Sequence, residues 1–221
     1  MTFKVVLFDL DGTLLDTLED IADSANRVLT GHGFPTHPTN AYRAAVGQGA
    51  RQLIINILPD VTRDPDTIRI CLDAFLRDYG QNWNKKTKPY AGVAELLDSL
   101  KARKIKIAVL SNKPAEFSGK CINELLFGWT FDAIIGASDD MPNKPDPSGA
   151  VEIAGRLKIV PEEFLFVGDS GIDMRTAVAA RMFAVGALWG FRGREELLRE
   201  GANILVNHPR EILKLISFGR M

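Results

Sequence analysis

The sequence contains few of the residues from which disulfides and soft-metal sites are built. Among its 221 residues are two cysteines, Cys71 and Cys121, and three histidines, His32, His37 and His208. The cysteines lie far apart in no metal-binding spacing, and the histidines are scattered. We therefore expect two free, buried thiols in a reducing compartment and no metal site built from cysteine or histidine.

The sequence also lacks a long apolar segment and an excess of charge of either sign. No stretch approaches the roughly 20 apolar residues that span a bilayer, and Asp9 and Asp11 interrupt the first apolar run, which argues against a targeting segment. Lys and Arg total 27 and Asp and Glu total 28, so the net charge is −1 and no basic surface for nucleic acid is expected. The short basic stretch 85–88 is interpreted as a solvated linker. We expect a cytoplasmic protein that binds neither membrane nor nucleic acid.

Short apolar runs alternate with amphipathic segments along most of the chain. Continuous apolar character suits strands covered on both faces, and the alternation predicts an α/β fold with a doubly wound, parallel, Rossmann-like sheet. The predicted strands span 3–8, 105–110, 131–135, 164–167, 184–188 and, more weakly, 203–206. The predicted helices between them span 93–103, 115–126, 148–157 and 172–180.

The interval between the first two predicted strands follows a different pattern. It contains no convincing strand, and prolines separate three helical patterns at 18–29, 42–58 and 67–83. The simplest interpretation is an inserted α-helical cap domain. We place the cap at residues 16–86 and the core at residues 1–15 and 87–221.

Two carboxylates follow the first predicted strand, in the segment Asp9-Leu10-Asp11-Gly12-Thr13. Alternate residues of an extended chain point to the same side, so Asp9 and Asp11 can address one small volume. Acids this close repel each other and favour a proton or a cation between them. An ordinary turn after a strand would use the same residue types, so this segment alone does not decide between the two interpretations.

Polar residues follow two further predicted strands, at Ser111-Asn112 and at Asp169. The carboxyl ends of parallel strands meet at one edge of a sheet, so these residues are expected to lie near Asp9. Asp9 and Asp169 would supply carboxylate oxygens to Mg²⁺, with the backbone carbonyl of Asp11 as a third ligand. The convergence of the three segments predicts a site at this edge.

Two segments could neutralise a phosphate at that edge. Ser111 and Asn112 precede a predicted helix, where hydroxyl, amide and backbone N–H groups suit an anion, although both are also common helix caps. Lys144 is followed by Pro145 and Pro147, which fix its loop. A lysine held rigidly in this way would neutralise charge on a transferring phosphoryl group.

Together these segments resemble the four signature motifs of the haloacid dehalogenase superfamily. The order and spacing agree over the whole chain, and the helical insertion after the first motif is similar to the cap of the first structural subclass. The motif segments are 9–13, 111–112, 144–145 and 168–173. Further stretches most resemble phosphoglycolate phosphatases, namely 89–93, 143–147 and 189–193.

The resemblance implies a phosphatase that works through an aspartyl-phosphate. Asp9 would be the nucleophile, and Asp11 the acid that protonates the leaving alcohol and later the base that activates water. Lys144 would be the third catalytic residue. A carbon–halogen substrate is disfavoured, because the dehalogenases of the superfamily lack an acid at the position of Asp11.

The resemblance also implies ligand sets. The phosphoryl group would be bound by Gly12, Thr13, Ser111 and Asn112. The cofactor Mg²⁺ would be held by Asp9, Asp11 and Asp169. Asp173 and Ser170 would support these ligands from behind, although Asp173 could equally be an acid favoured by a helix N-terminus.

In such enzymes the cap supplies substrate contacts. Gln48, Gly49 and Arg51 are the candidates here, with Arg51 placed to meet a substrate carboxylate. The alternative is a flexible turn that leaves Arg51 in solvent.

The best single guess for the substrate is 2-phosphoglycolate. Alternatives within the superfamily are a sugar-phosphate phosphatase, a phosphomutase and a pyrophosphatase. An alternative of another class is a non-catalytic scaffold that binds phosphate, metal or a partner. We expect a small phosphate ester as ligand and a monomer or homodimer.

One departure from the family pattern affects the backbone. Arg181 stands where relatives commonly have a glycine after a helix. Arg181 must therefore adopt a left-handed conformation, or the helix must end elsewhere.

Overall fold

The computed structural model describes residues 3–217, which form an α/β core carrying a helical cap. The strands are β1 (Val5–Phe8), β2 (Leu15–Asp16), β3 (Lys88–Pro89), β4 (Lys106–Pro114), β5 (Ala133–Ala137), β6 (Phe164–Gly168), β7 (Phe183–Ala187) and β8 (Ile204–Val206). Six of them form one sheet in the order β5-β4-β1-β6-β7-β8, with every neighbouring pair parallel. The predicted Rossmann-like sheet is confirmed.

The α-helices lie on both faces of this sheet and in the cap. They are α1 (Leu18–Gly31), α2 (Tyr42–Ala45), α3 (Ala50–Ile57), α4 (Pro65–Asn82), α5 (Val93–Ala102), α6 (Ala115–Leu125), α7 (Ser148–Leu157), α8 (Gly171–Ala179), α9 (Arg194–Arg199) and α10 (Ile212–Ser217). The first four form the cap, and α5 to α10 belong to the core.

The continuous apolar character of β1 is explained by its position in the middle of the sheet. Val5 and Leu7 pack into a cluster with α7, α8 and α9 on one face, whereas Val6 and Phe8 pack into a second cluster on the other face. All four side chains are at most 1% exposed. Full burial of each is worth roughly 1.5–3 kcal/mol, so both sheet faces contribute to stability.

Most predicted elements are present, with ends shifted by at most four residues. The largest shift is in β4, which continues to Pro114 and so contains Ser111 and Asn112. The single helix predicted over 42–58 is wrong, because the chain is interrupted between α2 and α3. Gly47 and Gly49 take φ values of 113° and 90° there, which are incompatible with a helix.

The cap is attached to the core by two chain crossings that lie side by side. Leu15 and Asp16 of β2 pair antiparallel with Pro89 and Lys88 of β3. Beyond this pair, Asp20 is buried in α1, and its carboxylate accepts hydrogen bonds from the backbone N–H groups of Lys86 and Thr87. The start of α1 is thereby fixed to the returning chain.

The cap is closed over the core. The guanidinium of Arg43 donates to the carbonyl of Gly190 at 2.9 Å, and that of Arg192 donates to the carbonyls of Ala44 and Val46 at 3.0 Å. Cap side chains also belong to the same apolar cluster as one face of the sheet. The edge of the sheet beneath the cap is consequently enclosed.

Three smaller expectations can be compared with the structure. Arg181 has a φ of 58°, so it adopts the left-handed conformation that was expected after the helix, here α8. Cys71 and Cys121 are free and buried. Within residues 3–217, no helix combines the length and apolar character that crossing a membrane requires.

Candidate active site

The first loop of the site is held between β1 and β6. The backbone N–H of Asp9 donates to the carbonyl of Val167 at 2.9 Å, which continues the parallel ladder beyond Phe8. Gly12 has a φ of 87°, and a Cβ at this position would collide with the carboxylate of Asp169. Only glycine permits both this turn and this approach. Asp9 and Asp169 are therefore brought together by the backbone itself.

Asp169 is fixed by neutral donors. Its two oxygens accept hydrogen bonds from the hydroxyl of Thr13 at 3.1 Å and from the backbone N–H of Phe191 at 2.7 Å. The carbonyl of Thr13 in turn accepts a hydrogen bond from the indole of Trp189 at 2.9 Å. Among the described residues, no lysine or arginine forms an ion pair with Asp169.

Lys144 lies at the centre of the site and is 5% exposed. Its ammonium is 2.8 Å from Asp9 and 2.6 Å from Asp173. The other oxygen of Asp173 accepts hydrogen bonds from the hydroxyl and backbone N–H of Ser170, which forms a capping box at the start of α8. Asp173 is therefore a helix-start acid, which was one of the two sequence alternatives, and it also pairs with Lys144.

Asn112 holds Lys144 in place. Its side-chain oxygen accepts the backbone N–H of Lys144 at 2.8 Å, and its amide donates to the carbonyl of Lys144 at 2.9 Å and to that of Gly47 in the cap at 3.0 Å. The amide group is thus fully occupied by protein. Its position indicates that Asn112 orients Lys144 and the cap loop, rather than offering its side chain to a phosphate.

A cavity of about 50 Å³ lies between this cluster and the cap. Asp9, Asp11 and Ser111 line its floor. Its walls are largely apolar and come from the cap and α6, through Ile21, Val46, Leu53, Phe75, Leu76 and Phe117. The cavity has room for a handful of water-sized groups, so it suits a small ligand.

The site contains a second buried lysine, Lys113, which lines this cavity and which sequence reasoning missed. The ammonium of Lys113 lies 3.1 Å from the Asp11 carboxylate and 2.7 Å from the hydroxyl of Tyr79 in α4, and the Lys113 side chain is 4% exposed. Lys113 directly follows Ser111-Asn112, which was the one available signal. Tyr79 lies in the helical pattern predicted over 67–83, and the sequence offered no signal for a role at the site.

The predicted cap residues occupy different surroundings. Gly49 lines the cavity, and a Cβ there would be 3.3 Å from the Asn143 amide. Gln48 and Arg51 are exposed, and neither lines the cavity. The structure therefore brings Gly49, but not Gln48 or Arg51, to the site, and the guanidinium of Arg51 faces solvent, as in the alternative considered from the sequence.

The electrostatics of the site follow from burial. Burial raises the pKa of Asp9 to about 7, since the nearby Lys144 offsets this effect only in part and Asp173 adds to it. Burial, with repulsion from Asp173 and Asp9, raises the pKa of Asp169 well above its ordinary value. For Lys144, burial acts to lower the pKa, but Asp173 and Asp9 outweigh it and raise the pKa overall. The site holds more negative charge than its lysines compensate.

The carboxylates fit a divalent cation. Asp9, Asp169 and Asp173 each offer an oxygen, and these oxygens lie within 4.8 Å of one another. Together with Asp11, the site contains four carboxylates and two ammonium groups, those of Lys113 and Lys144. If all of them are ionised, the net charge of the site is −2. A hard divalent cation with oxygen ligands would balance that charge.

The fold and this acid-rich site at the carboxyl edge of the sheet together define a capped enzyme with a Rossmann-like α/β core. The family model of haloacid dehalogenase-like hydrolases matches residues 6–187, from β1 to the end of β7. The chain belongs to the haloacid dehalogenase-like hydrolase family. The family expected from the four motifs is confirmed.

The chain is most similar to phosphoglycolate phosphatases. It is 31% identical to one from Aquifex aeolicus over 214 residues, which cover 97% of each protein, and 33% identical to one from Xylella fastidiosa over 93% of this chain and 90% of the relative. Among solved structures, a protein from Lactobacillus delbrueckii subsp. bulgaricus superposes with a TM-score of 0.91 at 26% identity, over 98% of this chain and 99% of the other.

Proposed function

We propose that this hydrolase removes phosphate from a small phosphomonoester, with Asp9 as nucleophile, Mg²⁺ as cofactor and 2-phosphoglycolate as substrate. The family and the relatives support the class of phosphoric monoester hydrolase. The observation that carries the proposal is the buried pair of Lys144 and Asp9, 2.8 Å apart, whose Asp9 lines the floor of the cavity together with Asp11 and Ser111.

The positions of these groups support the following reaction. A carboxylate oxygen of Asp9 attacks phosphorus, the bond from phosphorus to the ester oxygen breaks, and Asp11 gives its proton to the departing alcohol. Water then attacks the aspartyl-phosphate, Asp11 takes a proton from that water, and phosphate leaves as Asp9 is regenerated. Ser111 and Lys144 would hydrogen-bond the phosphoryl oxygens. Such transfers depend mainly on positioning and charge, which a closed, rigid cavity provides.

The carboxylates of Asp9 and Asp169 and the backbone carbonyl of Asp11 would hold the magnesium ion. When bound, the ion would neutralise charge on the nucleophile and on the phosphate. The excess negative charge of the site supports this assignment. Asp173 is engaged by Lys144 and Ser170, so its place is behind the ligands.

The small, apolar cavity supports a short substrate. The hydroxyl groups of a sugar phosphate would lie against apolar walls without hydrogen-bond partners, which is costly. This argues against a sugar-phosphate phosphatase or mutase. The relatives named phosphoglycolate phosphatase support 2-phosphoglycolate.

The proposal also covers the bounds of the cap domain and the location of the protein in the cell. We assign residues 16–86 to the cap, because the chain leaves and re-enters the core at the β2–β3 pair. We place the protein in the cytoplasm, which the free and buried thiols of Cys71 and Cys121 support.

Asp9→Asn tests the assigned nucleophile. With p-nitrophenyl phosphate and Mg²⁺, the variant should lose about 10⁴-fold or more in kcat, since its amide cannot attack phosphorus. Its melting temperature should remain close to that of the wild type. Acid-quenched wild-type enzyme should carry phosphate on the tryptic peptide 5–27. Full activity of the variant, or phosphate on another peptide, would refute the role of Asp9.

A further inference from the structure

Lys113 and Tyr79 form a polar pair on the cavity wall that the reaction described above does not use. The Lys113 ammonium can donate three hydrogen bonds, and its neighbours are the Asp11 carboxylate and the Tyr79 hydroxyl. Because the Tyr79 oxygen accepts from Lys113, its own proton is left to donate. Within residues 3–217 that proton has no acceptor. The pair can therefore present two donors to one ligand group.

The surroundings of the pair restrict what that group can be. Lys113 is 6% exposed and Tyr79 is 2% exposed, so their hydrogen-bonding capacity faces the cavity rather than solvent. The ring of Tyr79 packs between Phe75 and Phe117, which also line the wall. A positive charge and a hydroxyl donor in apolar surroundings match an anion with two oxygens, and a carboxylate has that geometry.

The distance from the reacting centre restricts how the group is attached. Lys113 contacts Asp11, which would protonate the leaving oxygen of the ester. A group bound by Lys113 must therefore lie within a few bonds of that oxygen. A carboxylate on the carbon that bears the ester oxygen satisfies this condition, whereas one at the end of a long chain does not.

We propose that Lys113 and Tyr79 form the subsite for the substrate carboxylate, and that the substrates are phosphate esters of short 2-hydroxy acids. This inference rests on the proposed function and names the residues that select its substrate. Lys113 belongs to β4 of the core and Tyr79 to α4 of the cap. The bound carboxylate therefore joins the two domains, and the cap closes more readily over substrates that carry it.

Two substrates and two variants test the subsite. Ethyl phosphate matches 2-phosphoglycolate except that a methyl group replaces the carboxylate. The wild type should prefer 2-phosphoglycolate in kcat/KM by at least about 100-fold, because a carboxylate is needed to satisfy the buried donors. Tyr79→Phe should reduce that preference by about 10-fold, mainly through KM, and Lys113→Met should reduce it further. Tyr79→Phe keeps the aromatic packing, so its folding is expected to be intact.

Lys106→Met is the matched control. Lys106 lies at the start of β4, far along the strand from Lys113, where it pairs with Asp132, and its replacement should leave the preference unchanged. Equal losses on both substrates in Tyr79→Phe and Lys113→Met would show a purely structural role and overturn the subsite. A wild type that hydrolyses ethyl phosphate as well as 2-phosphoglycolate would refute the subsite but not the phosphatase. A wild type that hydrolyses neither these esters nor an aryl phosphate would refute the proposed function itself.

Discussion

The two buried lysines of the site form ion pairs with different aspartates. Lys144 contacts Asp9 and Asp173, whereas Lys113 contacts Asp11. In the proposed reaction, Asp9 would thereby be held at the side of the phosphoryl group and Asp11 at the side where the alcohol leaves. This separation gives two aspartates of one loop different neighbours, and with them different roles in the proposed reaction.

The role of Asp11 predicts a dependence on the leaving group. Asp11→Asn cannot donate the proton, so hydrolysis of an alkyl phosphate should fall by about 10²–10⁴-fold. Hydrolysis of p-nitrophenyl phosphate should fall much less, because its phenolate leaves without protonation. The measurement is kcat/KM for both substrates in the variant and the wild type. Equal losses would argue against an acid role for Asp11.

Site residues that belong to short sequence motifs could be identified from the sequence. Asp9, Asp11 and Asp169 were identified because each follows an apolar strand, and the structure places them at one edge of the sheet. Lys113 and Tyr79 were missed because their importance depends on a contact between residues 34 positions apart, in different domains. For Arg51 the sequence left two alternatives, a contact to the substrate or a flexible turn in solvent, and in the structure its side chain is exposed.

At the scale of elements, the attachment of the cap depends on a buried carboxylate. Asp20 is 2% exposed and accepts hydrogen bonds from Lys86 and from both the backbone and the hydroxyl of Thr87. These bonds join α1 to the segment that returns to the core. The basic stretch 85–88 is therefore more than a solvated linker, since its backbone is part of the attachment of the cap to the core.

Replacing Asp20 should weaken this attachment of the cap to the core. Asp20→Ala leaves buried N–H and hydroxyl donors without an acceptor, so the free energy of unfolding should fall by about 2–4 kcal/mol. Asp23→Ala removes an exposed partner of Lys86 on the same helix and should cost less than about 1 kcal/mol. Urea unfolding followed by circular dichroism measures both. Equal losses in the two variants would contradict the assigned role of Asp20.

Helices and strands were predicted most accurately where the sequence pattern lies within a single segment. The periodicity of α5 and α7 lies within each segment, and their bounds were predicted to within a residue. The helical pattern at 42–58 runs across the break between α2 and α3 because apolar residues recur on both sides of Gly47 and Gly49, although this glycine segment was also the candidate cap loop. Glycine is tolerated in a helix, so the two glycines alone do not predict the break. The non-helical conformation is stabilised where this loop approaches the core and the Asn112 amide donates a hydrogen bond to the carbonyl of Gly47.

At the scale of the whole molecule, folding without a metal ion brings more acidic than basic side chains together at the site. Asp9 and Asp169 are buried, and both have raised pKa values. Between about pH 4 and about pH 7, Asp9 therefore holds a proton more often in the folded protein than in the unfolded chain, and Asp169 acts in the same direction. Stability of the metal-free protein should fall as pH rises through that window, because the protons that neutralise these acids are lost.

Magnesium should reverse this trend. The ion competes with protons for the same carboxylates, so it should raise the melting temperature more at about pH 8 than at about pH 5. Differential scanning calorimetry with EDTA or with Mg²⁺ measures the effect. Asp169→Asn should abolish most of the gain at the higher pH. A gain that is independent of pH, or that survives in this variant, would contradict the proposed metal site.

The sequence by itself determined the class of sheet, the presence of a helical cap and the reactive residues at the strand ends. These properties depend on periodicity and on motifs a few residues long, so they can be recognised locally. Tertiary structure alone decided which side chains share the cavity, that Lys113 meets Tyr79 across the two domains, and that Asp169 has no cation beside it among the described residues. These properties arise from packing between segments far apart in the chain, where burial and close approach, rather than residue type, set the charge and the hydrogen bonds.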